Sequence, residues 1–341
     1  MNYSDGNEED DYDEYEDIAI FATKSTNKIN ALINKTIQIN NRKLKNSYGK
    51  LLLKAYENDV SESIVNKLID LNANVMIFDS DEVSTLQHVI MNYTKNTKFH
   101  IQRLLKLGAI LNVSSYDEHD ILQRMCKILK IKISQFLIKY KENIKDSFGW
   151  LLHHYCDTSS EIVHQGTLKK CKILLEYKDD INKKMECYWD TALFRACHGG
   201  ALYLVKLLVN NGADIYMKND DDEFPLCSCV MFRRHPNTLK YMLSLYNKNE
   251  INHQNKDGDT ILHILCNIFN RNTSDEMFTN NGEFISCLLL LLNSKIDTSI
   301  QNNDGMTVLH LLCNASSEES LKDSLVAISI IMLYRGKKLN K

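Results

Sequence analysis

One phrase recurs along this 341-residue chain, and its recurrence restricts the fold more than any other feature. Ile101-Gln-Arg-Leu-Leu-Lys-Leu-Gly-Ala109 returns as Val205-Lys-Leu-Leu-Val-Asn-Asn-Gly-Ala213, followed by Asp214 and Ile215. Weaker copies run over 65–75, 171–181 and 285–297, and fainter ones over 29–39, 133–144, 239–251 and 330–339. Each has the apolar spacing of an amphipathic helix. Several end in glycine or asparagine, as helix C-termini do. A second phrase precedes many of them. Gly258-Asp-Thr-Ile-Leu-His263 and Gly305-Met-Thr-Val-Leu-His310 are near copies. Residues 189–194 and 222–227 are drifted copies, and 149–153 is a copy one residue short. Glycine permits a tight turn with positive φ, and Thr caps the helix that follows. Pro225 suits a first helical turn, where its missing N–H leaves no bond unmade.

The spacing of these phrases sets the architecture. Leu193 to Leu226 spans 33 residues, Leu226 to Leu262 spans 36, and Leu262 to Leu309 spans 47. The long interval predicts a polar insertion at about 270–283. Leu32, Leu68 and Leu104 are also 36 apart. Such periods mark stacked units, each hiding its apolar face only against a neighbour. The expectation is an all-α solenoid of about nine helix-turn-helix units, the first and last incomplete. Residues 112–146 carry the weakest turn signals.

The turn-Thr-x-Leu-His phrase followed by Val-x-x-Leu-Leu-x-x-Gly-Ala-Asp resembles the ankyrin repeat. The resemblance covers most of 18–341, weakly over 18–146 and more clearly over 147–341. The variants Leu152-His-His-Tyr-Cys156, Leu262-His-Ile-Leu-Cys266 and Leu309-His-Leu-Leu-Cys313, together with irregular repeat lengths and an Asn/Ile/Lys/Tyr-heavy composition, are most similar to the poxvirus ankyrin-repeat proteins. The resemblance implies a protein-binding scaffold that sequesters host signalling or innate-immune proteins in the cytoplasm of an infected cell. Many relatives also carry a C-terminal F-box-like segment that recruits a ubiquitin ligase. This chain reaches Lys341 directly after a repeat helix, so a ligase-adaptor role is the less favoured alternative.

Composition excludes several other classes. The net charge of -3 gives no broad basic face for nucleic acid. Only 2 prolines and 12 glycines interrupt the chain, and 44% of its residues are hydrophobic. The longest apolar block, Leu288 to Leu292, is too short to span a bilayer. The acidic N-terminus is unlike a secretion signal. Ten cysteines in that setting read as reduced thiols. Residues 1–17 form an acidic, tyrosine-spiked segment, expected to be a disordered tail. A cytoplasmic monomer is expected, without cofactor.

Three His-x-x-Cys pairs (His153/Cys156, His263/Cys266, His310/Cys313) suggest metal ligands at first sight. Zinc needs about four ligands converging on one point, and these pairs recur once per repeat. The resemblance implies instead that each His braces its turn, while the Cys packs as a small apolar group. The acidic runs Asp79-Ser-Asp-Glu82 and Asp220-Asp-Asp-Glu223 lack the ligand spacing of a calcium loop. No phosphate loop, nucleophile elbow or zincin motif occurs, and no enzyme is expected. The candidate partner-binding residues are Trp150, Trp189, Tyr216, Asp220, Asp221, Asp222, Glu223, Arg233 and Arg234, on or beside the turns. Aromatic and arginine anchors dominate binding hot spots.

Overall fold

The computed structural model describes residues 42–57, 62–81, 83–92, 96–111, 116–144, 147–157, 165–177, 181–185, 190–231, 235–271, 281–314 and 318–339. The acidic segment 1–17, the helix expected at 29–39 and most of the expected insertion lie outside them. Contacts divide the chain into two compact units, one ending at Ser147 and one starting at Phe148.

The first unit contains α1 (Arg42–Glu57), α2 (Glu62–Asp70), α3 (Thr85–Met91), α4 (Thr97–Lys106), α5 (Tyr116–Leu129) and α6 (Ile133–Lys139). They pair as α1/α2, α3/α4 and α5/α6, and α3 packs between α1 and α5. Leu52, Leu68, Leu86, Leu104, Leu122 and Phe136 are completely buried. Residues 112–146, where turn signals fade, thus still hold a helix pair. Asn143 takes over the linking task there. Its side-chain N–H groups donate to the carbonyls of Leu105 (2.9 Å) and Ala109 (2.7 Å).

The second unit contains α7 (Phe148–Cys156), α8 (Gln165–Glu176), α9 (Ala192–His198), α10 (Leu202–Asn210), α11 (Pro225–Met231), α12 (Pro236–Leu243), the short α13 (Lys248–Ile251), α14 (Ile261–Arg271), α15 (Asn281–Asn293), α16 (Val308–Cys313) and α17 (Glu318–Leu339). The first helices of each pair stack in the order α7, α9, α11, α14, α16. The second helices stack behind them as α10, α12, α15, α17. Each layer touches its sequence neighbours, the arrangement expected of a solenoid. Leu204, Leu208, Leu239, Leu262, Leu288, Leu291 and Leu312 have no exposure, so the recurring leucines form the inter-layer core.

The last pair is not a fragment: α17 runs 22 residues and packs on both α15 and α16. With the 29–39 segment outside the described residues, eight helix pairs are seen. Among the described residues no helix is long and apolar enough to cross a membrane.

Candidate interaction surface

Between successive layers of the second unit the backbone projects as fingers. One asparagine organises each of three consecutive fingers. Asn219 Oδ1 accepts the N–H groups of Asp221 (3.0 Å) and Glu223 (2.9 Å). Asn255 does the same for Asp257 (3.0 Å) and Asp259 (2.9 Å). Asn302 does so for Asp304 (3.1 Å) and Met306 (3.0 Å). In the first unit Asp79 plays this part for Asp81 (2.9 Å) and Val83 (2.8 Å). These are Asx turns, in which a short side chain replaces the backbone as acceptor. The sequence reading missed these residues. Their signal was an Asn or Asp seven residues before each repeat leucine (Leu86, Leu226, Leu262, Leu309).

The fourth position of the three fingers in the second unit has a left-handed backbone. Gly258 (φ 76°) and Gly305 (φ 74°) supply it, as expected, but Asp222 adopts it as a non-glycine residue (φ 65°). Asp222 is held by Lys218 Nζ at 2.9 Å, and His253 Nε2 donates to its carbonyl at 2.6 Å. The Lys218 ammonium holds the Asp222 carboxyl below its usual range.

Adjacent fingers are tied edge to edge. Lys256 N–H donates to the Asp221 carbonyl (3.0 Å), and Asn303 N–H donates to that of Asp257 (3.0 Å). Side chains repeat the tie: Asn255 Nδ2 donates to Glu223 Oε1 (3.1 Å), and Asn302 Nδ2 to Asp259 Oδ1 (2.8 Å). A row of acidic tips results, with Asp220, Asp221, Asp257 and Asp304 all exposed. Exposed Lys256 is interleaved among them.

The histidines of the His-x-x-Cys pairs brace this frame. His263 Nδ1 accepts the Thr260 N–H (3.2 Å) and lies 2.8 Å from Thr260 Oγ1. Nε2 then carries the proton and donates to the Met306 carbonyl of the next finger at 3.1 Å. Burial holds the His263 ring below its ordinary pKa, opposed by the Met306 bond. His310 repeats the local half of this pattern with Thr307. His153 Nε2 lies 2.6 Å from Asp190 Oδ1, and Arg195 Nε lies 3.0 Å from Asp190 Oδ2. The three rings thus serve three separate layers. Among the described residues no cluster of three metal-ligating side chains forms.

Cys156 and Cys266 are buried, as the small-residue role requires, but Cys313 is exposed. It lies at the last turn of a six-residue helix. The hydrogen bond with Cys171, together with burial, pushes the Cys156 thiol far up.

The candidate residues divide by position. Tyr216 is 42% exposed, and its hydroxyl donates to Glu250 Oε2 at 3.0 Å. Its ring stands edge-on to Phe224 and Tyr246. Asp220 and Asp221 are exposed and Asp222 is half-buried. Glu223 is a correction: at 6% exposure it faces inward, between Asn219 and Asn255. Burial raises its carboxyl pKa even against those two bonds. Trp150 is a second correction. The phrase at 149–153 lacks its turn Thr, so Trp150 falls inside α7, buried and stacked on His154 at 4.9 Å. Trp189, Arg233 and Arg234 lie outside the described residues. The first acidic run also has an internal use. Asp79 Oδ2 meets His88 Nε2 at 2.7 Å. Burial works against the Asp79 charge, but His88 and two backbone N–H groups outweigh it and lower its pKa.

Stacked helix pairs, left-handed finger turns and a Thr-His brace reaching the next finger are the working parts of one repeat type. A family model of ankyrin repeats in three copies matches residues 159–250. The chain carries ankyrin repeats. No curated protein matches the sequence. The matched ankyrin segment contains α8 to α12 and the finger that bears Tyr216, Asp220 and Asp221. Ankyrin repeats make the chain a protein–protein interaction scaffold.

Proposed function

We propose that the second unit captures a partner protein along its row of ankyrin fingers, with a basic surface of the partner set against Asp220, Asp221, Asp257 and Asp304. The observation that carries this reading is the edge-to-edge tie between fingers. It fixes the spacing of the acidic tips before any partner arrives, so little ordering entropy remains to be lost on binding. Tyr216 supplies an aromatic anchor at the side of the row, on a ring already held by Phe224 and Tyr246. Charge at such a rim mainly steers association and selects partners.

The finer reading is that the partners are host signalling or innate-immune proteins, held in the cytoplasm of an infected cell and masked. It draws only on the Leu-His-x-x-Cys variants, the irregular repeats and the composition. One experiment addresses both levels. Immobilised full-length chain is exposed to host-cell lysate beside a variant carrying Tyr216→Ala, Asp220→Lys and Asp221→Lys. The bound proteins are identified by mass spectrometry. The expected outcome is a set of proteins lost with the variant while its circular dichroism is unchanged. An identical set on both would remove the finger row as the contact surface. A lost set without signalling proteins would remove the finer reading alone.

A further inference from the structure

Helix α10 ends at Asn210 in a turn that carries a latent reaction. Ala213 N–H donates to the Leu208 carbonyl (3.0 Å) and Gly212 N–H to that of Val209 (3.0 Å), with Gly212 in the left-handed conformation (φ 91°). A glycine in that conformation is a common helix stop. Asn211 stands directly before it, and its Nδ2 donates back to the Leu207 carbonyl at 2.7 Å. Asn211 and Gly212 are both exposed, and a Cβ placed on Gly212 would meet nothing within 4 Å among the described residues. The turns after α2, α4, α5, α9 and α15 place Leu71, Leu107, Leu129, Gly199 and Ser294 before their left-handed residue. Among these described turns, α10 alone puts a side-chain amide there.

An Asn-Gly pair closes on itself because glycine has no Cβ to hinder its own nitrogen. The Gly212 nitrogen gives its proton to hydroxide and attacks the Asn211 side-chain carbonyl carbon. A carbon–nitrogen bond forms, the bond to the side-chain nitrogen breaks, and that nitrogen leaves as ammonia. Water then opens the five-membered imide at either carbonyl, leaving aspartate or isoaspartate. Solvent supplies every other reactant. The closed turn slows the reaction: Asn211 sits at ψ 11°, which turns the Gly212 nitrogen away from the side chain. Closure waits for the last turn of α10 to fray, a local opening that costs far less than global unfolding. We infer that Asn211-Gly212 is a self-modification site, at which Asn211 deamidates through a cyclic imide and uncaps α10. Either product is an anion at a helix C-terminus, opposed by the dipole, and has no N–H for the Leu207 carbonyl. Isoaspartate also adds a methylene to the backbone. The altered turn leads within four residues to Tyr216. That connector hangs on Asp214 N–H to Asn182 Oδ1 (2.8 Å), Tyr216 N–H to Asp214 Oδ1 (2.8 Å) and the Tyr246 hydroxyl to the Ile215 carbonyl. Deamidation therefore loosens the aromatic anchor with age, and this last step alone rests on the capture surface proposed above.

Peptide mapping of the full chain, aged for weeks at body temperature in neutral and in mildly alkaline buffer, tests the assignment. Trypsin isolates Leu207 to Lys218 as one peptide. That peptide should gain about 1 Da at Asn211, with Asn210 intact, and should become a substrate for protein isoaspartyl methyltransferase. Alkaline buffer should speed the gain. Urea should speed it at least ~10-fold, since it removes the closed turn. Asn211→Gln, one methylene too long for the five-membered ring, should leave the peptide unchanged. Conversion in urea with none in the folded chain overturns the inference. So does conversion confined to Asn281-Gly282, the other Asn-Gly pair of the sequence. Asn211→Asp copies one product directly. Its Gly212 and Ala213 amides should exchange hydrogen at least ~10-fold faster than in the wild type, and unchanged exchange overturns the uncapping. Capture is read separately. If Asn211→Asp captures partners like the wild type while Tyr216→Ala does not, the link from deamidation to capture falls. If Tyr216→Ala also captures normally, Tyr216 is no anchor and the capture reading falls instead.

Discussion

Replacing His263 by Phe isolates the energetic role of the histidine brace, because the ring volume stays while both nitrogens go. His263 is 1% exposed and Thr260 is fully buried. The substitution deletes the acceptor of the Thr260 N–H and the donor to the Met306 carbonyl. Each net bond is worth about 1 kcal/mol, and a buried N–H left without a partner costs about 1–3 kcal/mol. The expected loss is therefore roughly 2–4 kcal/mol. His310 offers the internal control. It makes the same Thr contacts at 3.1 Å, but on an exposed surface where water replaces the lost partner. His310→Phe should cost under about 1 kcal/mol. Urea unfolding followed by circular dichroism at pH 7.5 measures both.

The pH dependence supplies a second readout. Burial holds the folded-state pKa of His263 below the ordinary histidine value of 6.5. Its stabilising contribution is therefore complete above that value and declines as pH falls through it towards the lower folded value. Wild type should lose stability from pH 7.5 to 5.5, and the gap to His263→Phe should narrow. Equal losses for the two Phe variants, or a gap that widens in acid, would refute the brace.

Four further outcomes are expected. Gly258→Ala should destabilise by about 2–4 kcal/mol, since a Cβ there meets Asn303 Oδ1 at 2.5 Å and the Asn303 backbone N at 2.6 Å in a left-handed turn. Gly305→Ala, with nothing within 4 Å, should cost only the conformational ~1 kcal/mol in the same unfolding assay. Asp190→Ala should cost about 3 kcal/mol by thermal or urea unfolding, because it strips the mostly buried Arg195 of its nearest carboxylate and His153 of its partner. A native-state thiol reagent should modify Cys313 well before Cys156, Cys197 or Cys229, read by peptide mass mapping, as exposure governs access.

The candidate surface was only partly legible. Tyr216 and the acidic tips could be placed beside a turn from the Gly-Ala-Asp and Thr-x-Leu-His phrases, because the period sets where each finger falls. Which acid of Asp220 to Glu223 faces water could not. Asp222 and Glu223 are adjacent acids whose pKa values move in opposite directions. One meets a lysine at the surface, and the other is buried beneath the next repeat's Asn255. Trp150 was misplaced because its copy of the turn phrase is short and lacks the capping Thr, so the helix begins earlier. The first unit hid its brace behind a substitution: Ser84 and Gln87 form a capping box that does the local half of the work of Thr260 and His263.

Local pattern was enough to establish the two-helix repeat, its period and its stacking, because apolar spacing and turn chemistry act within one unit and its immediate neighbour. The order of the layers follows from that alone. Which side chains remain outside does not, since exposure depends on what the neighbouring layer covers. Leu325 and Leu333 have the same hydrophobicity as Leu288 and Leu291. Only the packed layers reveal that the second pair is sealed behind α14 and α12 while the first pair faces outward, with no further layer against it among the described residues.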